Sequence, residues 1–201
     1  MTEPRARLAV LASGGGSNLQ AILDHFDALG PDAPGVVALV ASDRKAAGAL
    51  ERARRRGIPA VHLPKDAPGA LAAALAEHHI THVALAGYLR LVPAEVVRAY
   101  AGRLVNVHPA LLPAFGGPGM YGHHVHEAVV RAHATVTGPT VHFVNERYDE
   151  GAIIAQAHVP VHADDSPEQV AARVLAAEHA LYPRTIAALL RGEVTPPPPD
   201  G

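Results

Sequence analysis

Short apolar runs that alternate with helical patterns constrain the fold of this chain more than any other feature of its sequence. Helical patterns such as SNLQAILDHFDAL separate the apolar runs RLAVLAS, GVVALVAS, AVHL, HVALA and LVNV. Runs without polar alternation that are joined by helices are typical of parallel strands in an α/β sheet. We therefore predict an α/β fold of three layers, in which helices cover both faces of a mostly parallel sheet.

The second half of the sequence departs from this alternation. It begins with HPALLPAFGGPGMYG, a long proline- and glycine-rich loop of the kind that is often functional in a compact domain. HVHEAVVRAHA predicts a helix, and TVHFVN and AIIAQAHVPV each predict a strand. The closing helix has a clear start, with Ser166 as N-cap, Pro167 at the first helical position and Gln169 completing a capping box.

Open α/β sheets bind ligands beyond the carboxyl ends of their strands. Three of the predicted strands end near Ala12, Val107 and Asn145, so we expect these positions to lie on one rim. Polar residues that cluster next to these ends are the candidates for a binding or catalytic site.

The composition of the chain narrows the classes of function. Its 201 residues are 49% hydrophobic and carry a formal net charge of −2, which gives no electrostatic case for binding nucleic acid or an anionic membrane. The absence of cysteine excludes disulfides, thiolate metal sites and a cysteine nucleophile. The apolar run before the glycines is too short for a signal peptide or a membrane span, so we expect a cytoplasmic protein. We expect a single domain over residues 1–195 and a disordered, proline-rich tail over residues 196–201.

The segment LASGGGSNLQAIL predicts a strand, a glycine-rich turn and a helix. Glycines let consecutive N–H groups point into one concavity, and the start of a helix adds its dipole, so the turn predicts a phosphate-binding site. Ser17 is expected to cap the helix and donate its hydroxyl group, and Asn18 offers an amide. The pattern is a poor dinucleotide fingerprint, because Leu19 stands where a third glycine would follow Gly14 and Gly16. Glycines after a first strand also often serve the turn alone.

Two predicted strands carry pairs of polar side chains on one face. Asn106 and His108 alternate with apolar residues in LVNVH, and Thr140 and His142 alternate in the same way in TVHF. Asp149 follows the second strand in a turn-like stretch. Taken singly, each is more often a packed or surface residue, since the chain has 14 histidines and Asp before Gly is common in turns. Their joint position at strand ends favours a catalytic site.

Two further charged residues stand in otherwise apolar segments. Arg90 lies in LAGYLRLVP and Glu178 in AEHALYP, where each could also be a helix cap or a surface charge. Despite the abundant histidines we reject a metal site, because GHHVHEAVVRAH has Val130 where a His-Glu-x-x-His motif needs its second histidine. A Gly-x-Ser-x-Gly hydrolase elbow is also missing.

Five segments of the chain occur in an order and at a spacing that resemble the phosphoribosylglycinamide formyltransferase family, the folate-dependent transferases of purine biosynthesis. These segments are SGGGSNLQAI, AGYLRLV, NVHPALLP, TVHFVNERYDEG and AEHALYP. The resemblance runs from about Leu8 to about Arg191. It implies the formyltransferase fold, a Rossmann-like sheet flanked by helices. Its phosphate-binding half is expected at about residues 1–100 and its catalytic and folate-binding half at about residues 101–195.

The resemblance also assigns roles by position. The catalytic trio is expected to be Asn106, His108 and Asp149, and the residues that support it are expected to be Thr140 and His142. The ribonucleotide substrate is expected to contact Gly16, Ser17, Asn18 and Glu178. The folate is expected to contact Leu89, Arg90, Leu91, Val92 and Asn106.

The implied reaction moves the formyl group of 10-formyltetrahydrofolate to the amine of N1-(5-phospho-D-ribosyl)glycinamide, without a metal. We expect Asn106 to donate a hydrogen bond to the tetrahedral oxyanion and His108 to act as a charged general acid. The carboxylate of Asp149 is expected to raise the pKa of His108 and to help relay a proton. The expected partners are small molecules, with no nucleic acid or membrane, and the expected state is a monomer or homodimer.

The chain departs from the family pattern at several positions. Gly15 stands where many members have asparagine, and Glu150 replaces the first glycine of an Asp-Gly-Gly turn. The loop over residues 113–122 is longer than in many members. The family arginine that touches the folate tail has no clear match, and Lys65 is only a weak substitute.

Three alternative functions share part of the pattern. A nicotinamide-binding module with Gly14, Gly16 and Asp43 explains the glycine turn but nothing of NVHP or HFVNERYDEG. A 10-formyltetrahydrofolate hydrolase shares the catalytic trio but normally has a regulatory domain ahead of it, for which a first strand at about Arg7 leaves no room. A methionyl-tRNA formyltransferase needs a further carboxyl-terminal domain that binds RNA.

Overall fold

A computed structural model describes residues 5–196 of the chain. The strands are β1 (Ala6–Leu11), β2 (Gly35–Ser42), β3 (Ala60–His62), β4 (His82–Leu85), β5 (Leu104–His108), β6 (Val136–Thr137), β7 (Thr140–Phe143), β8 (Ile153–Gln156) and β9 (Val159–Pro160). The helices are α1 (Ser17–Leu29), α2 (Gly48–Arg55), α3 (Ala70–Glu77), α4 (Ala94–Ala99), α5 (His123–Arg131) and α6 (Pro167–Leu190). A short 3₁₀ turn (Gly30–Asp32) follows α1.

The central sheet has seven strands in the order β3-β2-β1-β4-β5-β7-β8. The five strands from β3 to β5 are parallel, β7 is antiparallel to β5, and β8 is antiparallel to β7. The expected mostly parallel α/β sheet is therefore confirmed. The strand order reverses direction next to β1, which is where doubly wound sheets bind their ligands.

Alternate residues of β1 enter two separate cores. Leu8 and Val10 pack with helices α1, α2 and α6 on one face of the sheet. Ala9 and Leu11 pack with α3 and α4 on the other face. Because a strand directs successive side chains to opposite faces, a strand that is apolar throughout must be covered on both sides. The expected three layers follow directly from this burial.

The antiparallel course of β7 was not expected from the sequence. Asn145 follows the end of β7 that pairs with the first half of β5, and it nevertheless lines the same cavity as Val107 and Ser13. The start of β7 also lies at the candidate site, where Thr140 pairs with His108 across the two strands. An apolar strand can run in either direction, so the pattern of β7 alone could not reveal this.

Two boundaries also differ from the sequence prediction. AIIAQAHVPV forms two strands rather than one, because Ala157 donates to the carbonyl of Pro139 and the chain then leaves the main sheet. The second of them, β9, pairs with β6 in a separate two-stranded sheet. Pro93 is the N-cap of α4 rather than its first helical residue.

The closing helix α6 begins as predicted and is anchored to the sheet. Ser166 and Gln169 form the expected capping box, and Pro167 is the first helical residue. Further along the helix, the buried hydroxyl group of Tyr182 donates to the carbonyls of Leu85 (2.9 Å) and Val105 (3.2 Å). Most of the expected tail, residues 197–201, lies outside the described residues. Within residues 5–196, no helix combines the length and apolar character needed to cross a membrane.

Candidate active site

A cavity of about 720 Å³ lies beyond the carboxyl ends of β1, β4 and β5. Its walls come from the glycine turn, the loop after β4, the loop before α5 with the start of α5, the segment after β7, and one face of α6. The predicted site residues that line it are Asn18, Leu89, Arg90, Leu91, Val92, Asn106, His142, Asp149 and Glu178. The remaining predicted residues, which lie behind this lining, are Gly16, Ser17, His108 and Thr140.

The glycine turn between β1 and α1 is shaped by one position. Gly16 has φ +77° and is the N-cap of α1, and a Cβ atom built there would lie 2.8 Å from Cα of Ala49. Gly14 and Gly15 would have no atom within 4 Å of a Cβ, so the turn is open on their side. The expectation that Ser17 caps the helix is wrong, since Ser17 is the first helical residue and no side chain caps this end.

The open side of the turn has the features of an anion site. The N–H groups of Gly14, Gly15 and Gly16 donate no hydrogen bond to any of the described residues 5–196. The first turn of α1 carries no acidic residue, so its positive dipole end is not neutralised locally. Free N–H groups at a helix start are a suitable cradle for a phosphate group.

A buried amide and carboxyl pair lies next to this turn. Nδ2 of Asn18 donates to Oε2 of Glu178 at 2.6 Å, across the interface between α1 and α6. Burial raises the pKa of Glu178 to about 7, and the hydrogen bond from Asn18 opposes that shift only in part. Oδ1 of Asn18 is buried without a hydrogen-bond partner among the described residues. Both side chains thus keep polar atoms at the wall of the cavity.

The side chain of Asn106 is oriented by the neighbouring strand. Nδ1 of His142 lies 2.8 Å from the carbonyl oxygen of Phe143, which can only accept, so Nδ1 carries the proton. In the neutral ring Nε2 is then an acceptor, and it lies 3.1 Å from Nδ2 of Asn106. Burial lowers the pKa of His142 and so favours this neutral form. One N–H of the Asn106 amide is thus engaged, and the other is left for a ligand in the cavity.

The proximity of His108 and Asp149, predicted from the sequence, is confirmed. Nδ1 of His108 lies 3.5 Å from Oδ2 of Asp149, although 41 positions separate them in the chain. The other oxygen of Asp149, Oδ1, lies 3.7 Å from Nε2 of His142. The carboxylate therefore lies between two imidazole rings, and only 11% of it is exposed.

The loop before α5 covers His108 from the opposite side. The carbonyl oxygen of Phe115 lies 2.8 Å from Nε2 of His108, so the ring is flanked by an acceptor at each nitrogen. Gly117 of the same loop donates its N–H to Oδ2 of Asp149 at 3.0 Å. This cover explains why His108 lies behind the cavity wall while Asp149 forms part of it.

Burial has the larger effect on the protonation of His108. It lowers the pKa of His108 below the ordinary value, while the carboxylate of Asp149 and the carbonyl of Phe115 raise it to a smaller extent. The expectation of a net upward shift is therefore wrong, because only 3% of His108 is exposed and a charged ring is poorly solvated there. The predicted contribution of Asp149 is present with the expected sign.

Thr140 supports the site through the backbone that leaves β5. Its hydroxyl group donates to the carbonyl of Ala110 at 2.6 Å and accepts from the N–H of Leu112 at 3.0 Å. Gln156 on β8 donates to the same hydroxyl oxygen at 2.9 Å. The fully buried Thr140 thus fixes the path of the loop that covers His108.

A tight turn carries Asp149 to its position. Asp149 has φ +58°, a left-handed conformation that aspartate tolerates better than most residues. Two residues later, a Cβ atom at Gly151 would overlap the carbonyl group of Phe143. The turn therefore packs directly on the backbone of β7, at the carbonyl that fixes the proton of His142.

The loop after β4 forms a largely apolar wall of the cavity. Leu89 and Leu91 are exposed to 39% and 54%, while Val92 is buried. The side chain of Arg90 is partly buried, and its Nη1 donates to the carbonyl of Leu63 at 3.2 Å. Lys65, the weak candidate for a folate-tail contact, is not among the residues that line the cavity.

The model of the formyl transferase family matches residues 6–186 of the chain. The chain belongs to the formyl transferase family. It is 46% identical over 196 residues to a chloroplastic phosphoribosylglycinamide formyltransferase of Arabidopsis thaliana, covering 93% of this chain and 66% of that protein. It is 38% identical over 190 residues to the phosphoribosylglycinamide formyltransferase of Haemophilus influenzae, covering 90% of this chain and 85% of that one. The chain thus spans slightly less than two thirds of the plant protein's length.

Solved structures of this formyl transferase family share the fold. Glycinamide ribonucleotide transformylase 1 from Symbiobacterium toebii superposes with a TM-score of 0.86 at 42% identity, over 94% of this chain and 89% of that one. A formyltetrahydrofolate deformylase from Pseudomonas syringae pv. tomato superposes with a TM-score of 0.83 at 25% identity, over 94% of this chain and 63% of that one. The family resemblance and the fold inferred from the sequence are confirmed.

Ser13 and His126 are among the residues of this cavity that were not predicted from the sequence. Ser13 lines it directly before the glycine turn, and its position at the end of β1 could have revealed it. His126 on α5 lines it as well, with a buried Nδ1 that has no hydrogen-bond partner among the described residues. In the sequence, His126 belongs to the segment GHHVHEAVVRAH, whose spacing does not match a metal-binding motif. No group of three His, Cys, Asp or Glu side chains within residues 5–196 is placed to hold a metal ion.

Proposed function

We propose that this protein transfers the formyl group of 10-formyltetrahydrofolate to the amine of N1-(5-phospho-D-ribosyl)glycinamide, a step of purine biosynthesis. The observation that carries this proposal is one cavity that joins a turn suited to bind an anion to a cluster of Asn106, His108 and Asp149. The names of the plant and bacterial relatives support the same reaction.

The two substrates fit opposite ends of the cavity. The phosphate of the ribonucleotide lies on the turn at Gly16, Ser17 and Asn18, and the sugar approaches Glu178. The folate lies against the apolar wall from Leu89 to Val92. This division gives residues 1–100 most of the phosphate site and residues 101–195 the reacting groups, within one domain. The cytoplasmic location and the monomeric or homodimeric state remain predictions.

Asn106 stabilises the charge that develops when the amine adds to the formyl carbon. One of its amide hydrogens is held by His142, which turns the second toward the cavity. A fixed donor of this kind needs no reorganisation when the carbonyl oxygen becomes negative, and removing one costs about 3 kcal/mol in transition-state stabilisation.

Asp149 and His108 pass a proton from the new ammonium to N10 of the folate, and tetrahydrofolate leaves as the bond between N10 and the formyl carbon breaks. Asp149 faces the cavity, so its carboxylate is the group within reach of the ammonium formed by the attack. His108 lies 3.5 Å behind it and exchanges protons with the substrates through this carboxylate or an associated water. Its Nε2 stays bound to Phe115, which leaves Nδ1 as the nitrogen that takes part.

A formyl-transfer assay with purified protein tests the proposal. Glycinamide ribonucleotide and 10-formyltetrahydrofolate should give formylglycinamide ribonucleotide and tetrahydrofolate in equal amounts. Omitting the ribonucleotide should abolish the production of tetrahydrofolate. Absence of the formylated product with both substrates present would refute the proposal.

Hydrolysis of the formyl donor is the second candidate, because a formyltetrahydrofolate deformylase is among the similar structures. The same assay separates the two reactions. A hydrolase releases formate at a rate that does not depend on the ribonucleotide, whereas a transferase releases none in excess of background.

A further inference from the structure

Ser13 lies between the two substrate subsites assigned above, and neither the sequence patterns nor the proposed mechanism gives it a role. It is the last residue before the glycine turn, and only 2% of it is exposed. On its other side lies the loop from Gly87 to Val92, the proposed folate wall. A buried polar side chain at such a junction needs partners, and it is the partners that indicate its function.

The partners of Ser13 lie on the folate loop. The backbone N–H of Ser13 donates to the carbonyl of Gly87 at 2.9 Å. Its hydroxyl oxygen accepts from the N–H of Leu89, also at 2.9 Å. One residue thus holds the loop at two points on either side of Tyr88.

Asp43 determines the direction of the Ser13 hydroxyl group. The hydroxyl group donates to Oδ1 of Asp43 at 2.5 Å, which leaves the lone pairs of its oxygen for the N–H of Leu89. Asp43 directly follows β2, so the contact joins the ends of β1 and β2 to the loop after β4. The same carboxylate also lies near Tyr88, whose pKa is raised by burial, lowered in part by the charge of Arg90 and raised to a smaller extent by that of Asp43.

We propose that Ser13, oriented by Asp43, is a positioning residue that holds the Gly87–Val92 loop in its folate-binding conformation. This inference rests on the proposed function, since it takes this loop to be the folate subsite. The residue after Ser13 is Gly14, which lines the phosphate end of the cavity.

Steady-state kinetics on Ser13→Ala, Asp43→Ala and Asp43→Asn test the proposal. Both alanine variants should raise KM for 10-formyltetrahydrofolate about five- to tenfold, the effect of losing one hydrogen bond to a positioned group. Their kcat at saturating folate should stay within about twofold of wild type, since the reacting groups are untouched. Asp43→Asn should behave like wild type, because its Oδ1 still accepts from the serine hydroxyl group.

Binding of the second substrate distinguishes a general structural defect from a loss of loop positioning. Calorimetric titration with glycinamide ribonucleotide alone should give the same Kd for wild type and all three variants. Asp32→Ala, which removes an exposed carboxylate from the 3₁₀ turn, is the matched control and should leave both substrates unaffected. If Ser13→Ala fails to fold, the KM values of Asp43→Ala and Asp43→Asn for 10-formyltetrahydrofolate still test the positioning role.

The possible failures are distinguishable. An unchanged KM for the folate in Ser13→Ala and Asp43→Ala overturns this inference and leaves the proposed reaction intact. The same holds if these variants lose as much affinity for the ribonucleotide as for the folate. If wild type transfers no formyl group, titration with tetrahydrofolate still measures the affinity of the subsite at the Gly87–Val92 loop. Weaker binding of that probe by the alanine variants would then support the positioning role, and no binding by wild type would overturn both proposals.

Discussion

The two ends of the cavity are built in different ways. At the glycine turn the backbone supplies the binding groups, and one conformationally demanding residue, Gly16, shapes them. At the proposed catalytic end the backbone only places side chains, and Asn106, His108, His142 and Asp149 orient one another over distances of 3.1 to 3.7 Å. The first end depends on local sequence, whereas the second depends on two strands and a turn that are far apart in the chain.

The difference predicts how each end responds to substitution. Side chains at the catalytic end should matter for turnover and little for folding, because their partners are other functional groups. At the glycine turn, a change of backbone conformation should matter more than the loss of a side chain. Each of the following experiments tests or refines that contrast.

Asp149→Asn should have the largest effect. The variant keeps the shape of the side chain but removes the charge between His108 and His142, so kcat should fall about 10³-fold, in the range for loss of acid–base catalysis. The pKa of His108, followed by NMR, should fall further below its value in wild type, because the carboxylate raises it. The urea midpoint should change little. A turnover near that of wild type would remove Asp149 from the mechanism.

Glu178→Gln should change the pH dependence of stability. The pKa of Glu178 rises from 4.5 to about 7 on folding. A raised pKa gives stability that is fully present below about pH 4.5 and is lost as the pH rises through about 7, by about 3 kcal/mol in total. The free energy of unfolding of wild type should therefore fall relative to that of Glu178→Gln between pH 4.5 and 8. Glu193→Gln, at an exposed position, is the control, and parallel pH profiles for wild type and Glu178→Gln would contradict the assignment.

Gly16→Ala and Gly15→Ala form a matched pair at the turn. Alanine at Gly16 must adopt φ +77° and crowd Ala49, so the free energy of unfolding should fall by about 2 kcal/mol. Alanine at Gly15 meets open space and should change stability by less than about 0.5 kcal/mol. Urea titration of both variants measures the difference. Equal losses would show that the turn is not controlled by one backbone position.

Ser17→Ala should have the smallest effect. Only the hydroxyl contact to the phosphate is lost, while the backbone N–H groups remain, so affinity for glycinamide ribonucleotide should weaken about fivefold. Asn18→Ala should weaken it more, since it also leaves Glu178 without its partner. The dephosphorylated glycinamide riboside is the control ligand and should bind Ser17→Ala and wild type equally. A loss of riboside affinity as well would place Ser17 away from the phosphate.

Much of the fold could be predicted because its first half repeats one simple pattern. Strands β1 to β5 are apolar and are separated by helical patterns, which favours parallel neighbours. The direction of β7 could not be predicted, because it depends on the path of residues 109–139 through a loop, α5 and β6. An apolar strand of four residues is compatible with either direction.

The candidate site was predictable to the extent that it consists of side chains in recognisable segments. The contact between His108 and the carbonyl of Phe115 has no such signature, since any residue supplies a carbonyl and only the loop conformation places it. The downward shift in the pKa of His108 could not be predicted either, because it also depends on the folded structure. Burial is a property of the assembled fold, whereas a neighbouring carboxylate is visible as a residue in the sequence.

The close packing of Gly151 on the carbonyl of Phe143 has a consequence for engineering this protein. That oxygen accepts the proton of His142, and the ring in turn holds the amide of Asn106. Any side chain at Gly151 has to displace the carbonyl, which would release the imidazole to its other tautomer and allow the amide to flip. Libraries that diversify the exposed tip at Arg147 and Tyr148 to alter donor preference should therefore leave this glycine untouched, although it never meets a substrate.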